Sequence, residues 1–271
     1  MTDVVDLLHH RNAVDELLRS VSETTILPRY QTLSEDQIKT KSSPGDLVTI
    51  ADEEAELHLT AGLKELLPGS AVVGEEAVAA DPSVLERLTR PGLTWVIDPI
   101  DGTANFVAGK PGFGVIIALV QNGDTVMGWI HNPLESKTLW AAQGQGAWVD
   151  SQNVTVATAE SPVDVSSMTA ALYHRAFRSA VSGFGSTTLI GSAAHVYWGV
   201  ATGTTHVSSF SRLMPWDHAA GVLIHQEAGG HSALLDGTAY KPTEWKHRGV
   251  LSAPTREIWK AVRALADETK T

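Results

Sequence analysis

The segment Thr94-Trp95-Val96-Ile97-Asp98-Pro99-Ile100-Asp101-Gly102-Thr103 restricts the fold of this 271-residue chain more than any other. Its apolar start, Thr94 to Ile97, reads as a short β-run that ends on acidic residues. Asp98 and Asp101 flank Pro99, whose fixed φ and missing N–H prevent a regular strand from continuing through the pair. The resulting bend can turn both carboxylates toward one point. It also leaves the Ile100 carbonyl without a ladder partner and free to bind a hard cation. Gly102-Thr103 then permits a tight turn whose backbone N–H groups and hydroxyl can face an anion if a helix starts there. Asp-Pro and Asp-Gly are also ordinary turn formers, so the segment gains meaning only from its company.

The rest of the chain supplies helices and strands to both sides of it. Val14, Leu17, Leu18 and Val21 are spaced as on an amphipathic helix. Residues 31 to 46 read as a loop, and a second helix is expected from about Asp52 to Leu67, with Thr49-x-x-Asp52 as a capping box and Pro68-Gly69 as its stop. Residues 71 to 73 form another β-run. Two apolar runs from Phe113 to Ile130 flank Asn122-Gly123, a strong hairpin signal, and a further strand pair is expected from Thr138 to Val149. This half reads as an antiparallel sheet with helices on it. In the second half, 168 to 172, 187 to 190, 231 to 235 and 250 to 252 read as strands, and 192 to 202, 218 to 228 and 255 to 269 as helices. Together they suggest an α+β layered sandwich, one domain over 1–271 with lobes at 1–150 and 151–271 joined near residues 150 to 168.

Composition removes several classes of function. With 20 Lys+Arg against 31 Asp+Glu the formal net charge is −11, the wrong sign for holding nucleic-acid phosphates. The chain has no cysteine, which excludes disulfide scaffolds, thiolate metal sites and cysteine nucleophiles. Charges interrupt the first twenty residues, unlike a signal peptide, and no window approaches the roughly 18 apolar residues of a membrane span. A cytoplasmic location without membrane partners is the expectation.

Two more acidic segments resemble the first in placement: Gly74-Glu75-Glu76 after a β-run, and Trp216-Asp217-His218-Ala219-Ala220-Gly221 where a helix begins. Asp217 reads as the N-cap of that helix, and Glu-Glu after a strand reads equally as a solvated loop. Oxygen-rich acidic sites suit Mg²⁺. The eleven histidines show no H-E-x-x-H or H-x-x-x-H pattern, so a histidine metal site is not expected. His195 and His206 fall in the later half of the chain, where they read as surface or core positions with substrate contact as the alternative, and the eight tryptophans as core filling.

In this order, G-E-E, W-V-I-D-P-I-D-G-T-A-N-F and W-D-H-A-A-G resemble the signatures of the inositol monophosphatase superfamily of Mg²⁺-dependent, lithium-sensitive phosphatases. Gly45-Asp46-Leu47-Val48-Thr49-Ile50-Ala51-Asp52, Gly144-Gln145-Gly146-Ala147 and Glu227-Ala228-Gly229-Gly230 extend the similarity to roughly residues 39 to 253. The resemblance implies a layered αβαβα sandwich of the inositol monophosphatase and fructose-1,6-bisphosphatase type, assembled as a homodimer. It implies two or three Mg²⁺ per site. Glu75, Asp98 and the Ile100 carbonyl would bind the first, Asp98, Asp101 and Asp217 the second, and Glu75 with waters a third, weaker one. Cations are needed on physical grounds too, since an acidic pocket repels a phosphate dianion. Asp52 and Thr103 would orient and deprotonate the attacking water, although Asp52 reads equally well as the capping-box partner of Thr49. Gly102 and Thr103 would hold the phosphate. Gly191, Ser192 and Ala193 would reach the leaving alcohol, while Ser192 alone reads as a helix N-cap. Asp101 and Asp217 would also touch substrate.

One position departs from the family. Many inositol-hydrolysing members place a glutamate about seven residues before the W-D aspartate, and this chain has Phe210 there, followed by Ser211 and Arg212. If the loop register is shared, the hydroxyl-reading carboxylate is missing. Arg212 would then favour a substrate with a second anionic group, or else point into solvent. The substrate class is a small phosphorylated metabolite. Inositol monophosphate leads, with histidinol phosphate, a nucleoside 3′,5′-bisphosphate or a sugar bisphosphate as alternatives. A non-catalytic interaction protein of the same fold is the alternative of another class.

Overall fold

The computed structural model describes residues 4–41, 47–157, 164–247 and 249–267. Gly45 and Asp46, residues 158–163 of the junction expected between the lobes, and the last residues of the expected closing helix lie outside them. Three helices precede the main sheet: α1 (Val4–Leu7), α2 (Arg11–Val21) and α3 (Ile50–Leu66). Between α2 and α3, β1 (Ile38–Thr40) pairs antiparallel with β2 (Leu47–Thr49), inside and just beyond the stretch expected to be a loop.

Seven strands make the larger sheet, in the order β3 (Ala71–Gly74), β4 (Leu93–Asp101), β5 (Gly114–Gln121), β6 (Asp124–Asn132), β7 (Lys137–Ala142), β8 (Ala147–Val149) and β9 (Gln152–Val154). All neighbours are antiparallel except β3 and β4, which run parallel and so correct the purely antiparallel expectation. Their parallel pairing needs a crossover, supplied by α4 (Glu75–Ala80) and the 3₁₀ segment Pro82–Thr89. The β5–β6 hairpin turns at Asn122 and Gly123, with φ of 53° and 90°. Both turn residues have positive φ, as the type I′ turn requires.

Alternation along β4 and β5 assigns their side chains to two cores. Trp95, Ile97, Ile117 and Leu119 pack with Val14, Leu18, Leu59 and Leu63 of α2 and α3. Val96, Ile116 and Ala118 face the other way, against Tyr197, Val200, Ala219 and Ala220 of α6 (Ala193–Thr202) and α7 (Pro215–Glu227). The strands read as unbroken apolar runs because helices cover both faces. The short helix α5 (Thr103–Val107) follows β4 directly.

The smaller sheet has the order β11 (Ser186–Thr187), β10 (Thr169–Leu172), β12 (Val207–Phe210), β14 (Val250–Ala253) and β13 (His231–Leu234). It is mixed, parallel at β11–β10–β12 and antiparallel at β12–β14–β13. Its outer face is closed by α8 (Arg256–Arg263) through Ile258, Trp259 and Val262. The layers therefore run helix, sheet, helix, sheet, helix, the αβαβα sandwich expected. Glu227 joins two of the glycine-containing motifs, because its carboxylate accepts the N–H groups of Gly144 and Gly146 at 2.8 and 2.9 Å. Those motifs therefore shape a turn. Among the described residues, no helix is long and apolar enough to cross a membrane.

Candidate active site

Asp98 and Asp101 are three residues apart and would point to opposite faces of a regular strand. They converge because β4 carries one extra residue between them: Asp98 pairs with Ile116 but Asp101 with Gly114. A bulge of this kind shifts the side-chain phase by one and bends the strand, and Pro99, with no N–H for the ladder, sits inside it. Strand pairing therefore resumes irregularly at Asp101. Carboxylate oxygens of Asp98, Asp101 and Asp217 lie within 4.8 Å of one another.

Asp217 reaches this point from α7, as the third residue of the helix. The helix begins at Pro215, after Met214, so Asp217 is not the N-cap expected from sequence. Proline fits a first helical turn, where its missing N–H has no partner to lose, and it sets the start earlier than the apolar periodicity suggested. Glu75 opens α4 and lines the same cavity, about 200 Å³, with Ile100, Gly102, Thr103 and Gly191. It stands at the edge of the cluster, where its carboxylate pairs with Lys41 at 2.7 Å.

The donors around the cluster are distributed unequally. Asp101 accepts the Ser192 hydroxyl and the Ala193 and Ala194 N–H groups at 2.5, 3.1 and 2.8 Å. It thereby caps α6, while the Ser192 hydroxyl also accepts the His195 N–H, so both expected roles of Ser192 coexist. Asp98 is 2% exposed and has a buried Oδ1 without a hydrogen-bond partner among the described residues. A buried carboxylate oxygen left so is costly unless a cation meets it. Burial first, then the charges of Glu75, Asp101 and Asp217, push the Asp98 carboxyl well above the ordinary range. Asp217 is pushed up by burial, Asp101 and Glu75, with Arg212 opposing. Burial raises Asp101 to about 6 against the pull of its three donors. An all-oxygen donor set with one orphaned oxygen fits a hard divalent cation.

Asp52 performs both tasks read from sequence. Its Oδ2 accepts the Thr49 N–H and hydroxyl at 2.8 and 2.6 Å, completing the capping box of α3. Its Oδ1 lies 3.1 Å from the Thr103 hydroxyl, which is also 2.9 Å from the Ile100 carbonyl. The hydroxyl has one proton, so donation to Asp52 releases the Ile100 oxygen. Burial is the main cause that raises Asp52 to about 6. Gly102, with φ of 85°, joins β4 to α5, and a Cβ there would meet the Gly112 carbonyl at 2.7 Å. Only glycine fits both requirements.

Gly191, Ser192, Ala193, Phe210 and Arg212 line an adjoining cavity of about 290 Å³ that shares Asp101 and Asp217 with the first. Phe210 stacks on Tyr173 with ring centroids 5.2 Å apart and on Tyr197 at 5.6 Å. His218 and His225 are buried in the fold, bonded to Tyr197 and Ser232, and no histidine belongs to the acidic cluster.

Two residues went unnoticed in the sequence. Lys41 bridges Glu75 and Glu76 at 2.7 and 2.6 Å, and nothing local marks it. Glu56 accepts the Glu76 and Ala77 N–H groups at 2.8 Å each, which seats the start of α4 and hence Glu75. Its signal was its place one turn after Asp52 on the buried face of α3.

This sandwich, with an acidic cluster that can hold a metal at the end of a bulged strand, defines a hydrolase of a recognisable class. A sequence model described as the inositol monophosphatase family matches residues 9–270. The inositol-1-monophosphatase of Bacillus subtilis is 33% identical over 220 residues, covering 75% of this chain and 78% of its own. Human inositol monophosphatase 1 is 32% identical over 238 residues, 82% of each chain. The solved Thermotoga maritima IMPase superposes with a TM-score of 0.80 at 25% identity, covering 95% of this chain and 96% of its own. The chain belongs to the inositol monophosphatase family, whose metal-dependent members hydrolyse phosphate monoesters, and it is a phosphoric monoester hydrolase.

Proposed function

We propose that the protein is a Mg²⁺-dependent phosphatase of small phosphorylated metabolites, with inositol monophosphate as the leading substrate. The observation that carries this reading is the convergence of Asp98, Asp101 and Asp217 oxygens within 4.8 Å, one of them buried and unpartnered. Asp98, Asp101 and Asp217 would hold one Mg²⁺, and Glu75, Asp98 and the Ile100 carbonyl another. When bound, Mg²⁺ supplies a positive charge that stabilises phosphoryl oxygens and acidifies water. The Thr103 hydroxyl, donating to Asp52, keeps its lone pairs free to accept a proton from the attacking water. Asp52 takes the relayed proton, and a carboxyl raised to about 6 suits a base working near neutrality. Gly102 and Thr103 line the cavity where the phosphate would sit, and their N–H groups would meet it there. Gly191, Ser192 and Ala193 face the side where the alcohol would leave.

The relatives are named for inositol monophosphate, and the Thermotoga maritima enzyme of 31% identity for fructose 1,6-bisphosphate as well. Phosphate release from inositol phosphate, histidinol phosphate, adenosine 3′,5′-bisphosphate and fructose 1,6-bisphosphate, with Mg²⁺ and with a chelator, tests this reading. Turnover is expected only with Mg²⁺, and Asp98→Asn is expected to abolish it while remaining folded. A wild-type protein inert on a broad panel, or a fully active Asp98→Asn, overturns it.

A further inference from the structure

We propose that a cavity of about 590 Å³ beside the acidic cluster seats the apolar body of an amphiphilic phosphate monoester, an alkyl or aryl ester whose phosphate meets the cluster; this rests on the phosphatase reading above. The cavity shares Glu75 and Asp217 with the acidic one, and Arg212 and Asp217 with the substrate-side one. An alcohol leaving beside Asp217 therefore has two directions open to it, past Gly191 and Ser192 or past Arg212.

The wall of the second direction is built by the elements that deliver the acids. Helix α4 sets Glu75 at the cluster and, three and four residues on, Val78 and Ala79 on the cavity wall, because residues at that spacing share one helix face. The start of α7 does the same from the opposite side: Asp217 enters the cluster, and Met214 and Trp216 just before it line the cavity. Leu85 of the 3₁₀ segment Pro82–Thr89 completes the apolar surface. Val78, Leu85 and Trp216 are buried in the core that also holds α7, with Met214 packed against it, so this wall is fixed before a ligand arrives. The polar groups gather at the end shared with the cluster. Glu75 carries the Lys41 ammonium there, and Arg212 lies close enough to act on the Asp217 charge. A polyol lying along this cavity would bury hydroxyls against Val78, Leu85 and Trp216 without partners. An ester with a phosphate at one end and an apolar body at the other matches the gradient, in a cavity of the size that small ligands occupy. Hydrolysis adds water to its phosphorus, breaks the bond to the alkyl oxygen and releases the free alcohol and inorganic phosphate.

Unbranched alkyl phosphates test this, because their leaving alcohols are nearly equal in basicity and chain length then varies binding and not the bond broken. Ethyl, butyl and hexyl phosphate are compared in the presence of Mg²⁺, beside inositol monophosphate. Each methylene laid on the wall should raise kcat/KM roughly two- to fourfold, and hexyl over ethyl phosphate roughly tenfold or more. The gain should come mainly through KM, since contacts remote from the reacting bond are equal in ground and transition states. Ala79→Glu places a charge at the exposed part of the wall, and Met214→Gln a polar group of similar length deeper in it. Both should lower the hexyl-to-ethyl ratio, which is internal to each variant and so is unmoved by a loss of active protein. A wild-type ratio near one, alkyl esters left uncut while inositol monophosphate is hydrolysed, or a ratio that neither variant lowers overturns the apolar subsite and leaves the phosphatase reading intact. No turnover of any ester overturns both.

Discussion

Protons and divalent cations compete for the same carboxylates, so the stability that Mg²⁺ confers should shrink as pH falls through about 6. Asp101 is raised from 3.8 to about 6, chiefly by burial. A carboxyl with a raised folded pKa contributes stability fully below its unfolded value and loses it as pH rises through the folded one. Metal-free protein therefore carries uncompensated repulsion at neutral pH and relieves it by protonation near pH 5. Bound Mg²⁺ would hold Asp101 ionised throughout. One pH unit below its pKa, that group alone removes about 1.4 kcal/mol from the advantage of the bound form. For a chain of this size that is roughly 3 to 6 °C. Asp98 and Asp217 are raised further and add in the same direction.

Buried histidines act oppositely but in both forms. His131 is lowered by burial to about 4 and His225 to about 3, so each supports stability above 6.5 and loses that support as pH falls toward its folded value. Their effect cancels in the difference between melting temperatures with excess Mg²⁺ and with chelator, measured from pH 8 to 5. That difference should narrow by roughly 3 °C or more between pH 7 and 5. A constant or widening difference refutes the assignment of these acids to a cation. Asp98→Asn supplies a control of sign. It should respond less to Mg²⁺ than wild type across the pH range.

Three further outcomes are expected. Thr103→Ala should lower kcat about 100-fold or more while retaining the Mg²⁺-induced rise in melting temperature, with Thr103→Ser recovering most activity; loss of the Mg²⁺ response instead would place Thr103 in cation binding. Gly221→Ala should be destabilising despite the roughly 1 kcal/mol that alanine gains in a helix, because its Cβ would lie 2.2 Å from the Tyr197 ring; urea unfolding with an unchanged midpoint contradicts this packing. Glu227→Gln should cost about 1 to 2 kcal/mol by weakening the bonds to Gly144 and Gly146, with kcat/KM unaffected; altered kinetics would mean that the turn communicates with the site.

Features that depend on neighbouring residues were legible in the sequence. Asn122-Gly123 announced its hairpin, Thr49-x-x-Asp52 its capping box, and the spacing of Val14, Leu18 and Val21 the buried face of α2. Features that depend on distant contacts were not. The strand Val207–Phe210 carries Ser208 and Ser209, 1% and 0% exposed, so its polar letters hide a central strand. Ser209 Oγ is within 3.4 Å of the His174 N–H, a partner 35 residues away. The parallel pairing of β3 with β4 likewise follows from a crossover and not from either strand's pattern. At the site, the three acidic motifs were visible, but the capping of α6 by Asp101 joins residues 91 to 93 positions apart.

That capping changes how the acids divide their work. Asp101 is bound to the N-terminus of α6 and Glu56 to that of α4, so helix dipoles already offset part of their charge. Glu75 and Glu76 share the Lys41 ammonium, and Arg212 opposes the rise at Asp217. Each of these offsets one edge of the cluster and none satisfies its centre, where Asp98 Oδ1 is buried and without a partner among the described residues. A divalent cation there would meet that oxygen. Without it, the chain maintains a concentration of negative charge that opposes its own folding, which is the expected signature of a site built for a ligand and not for stability.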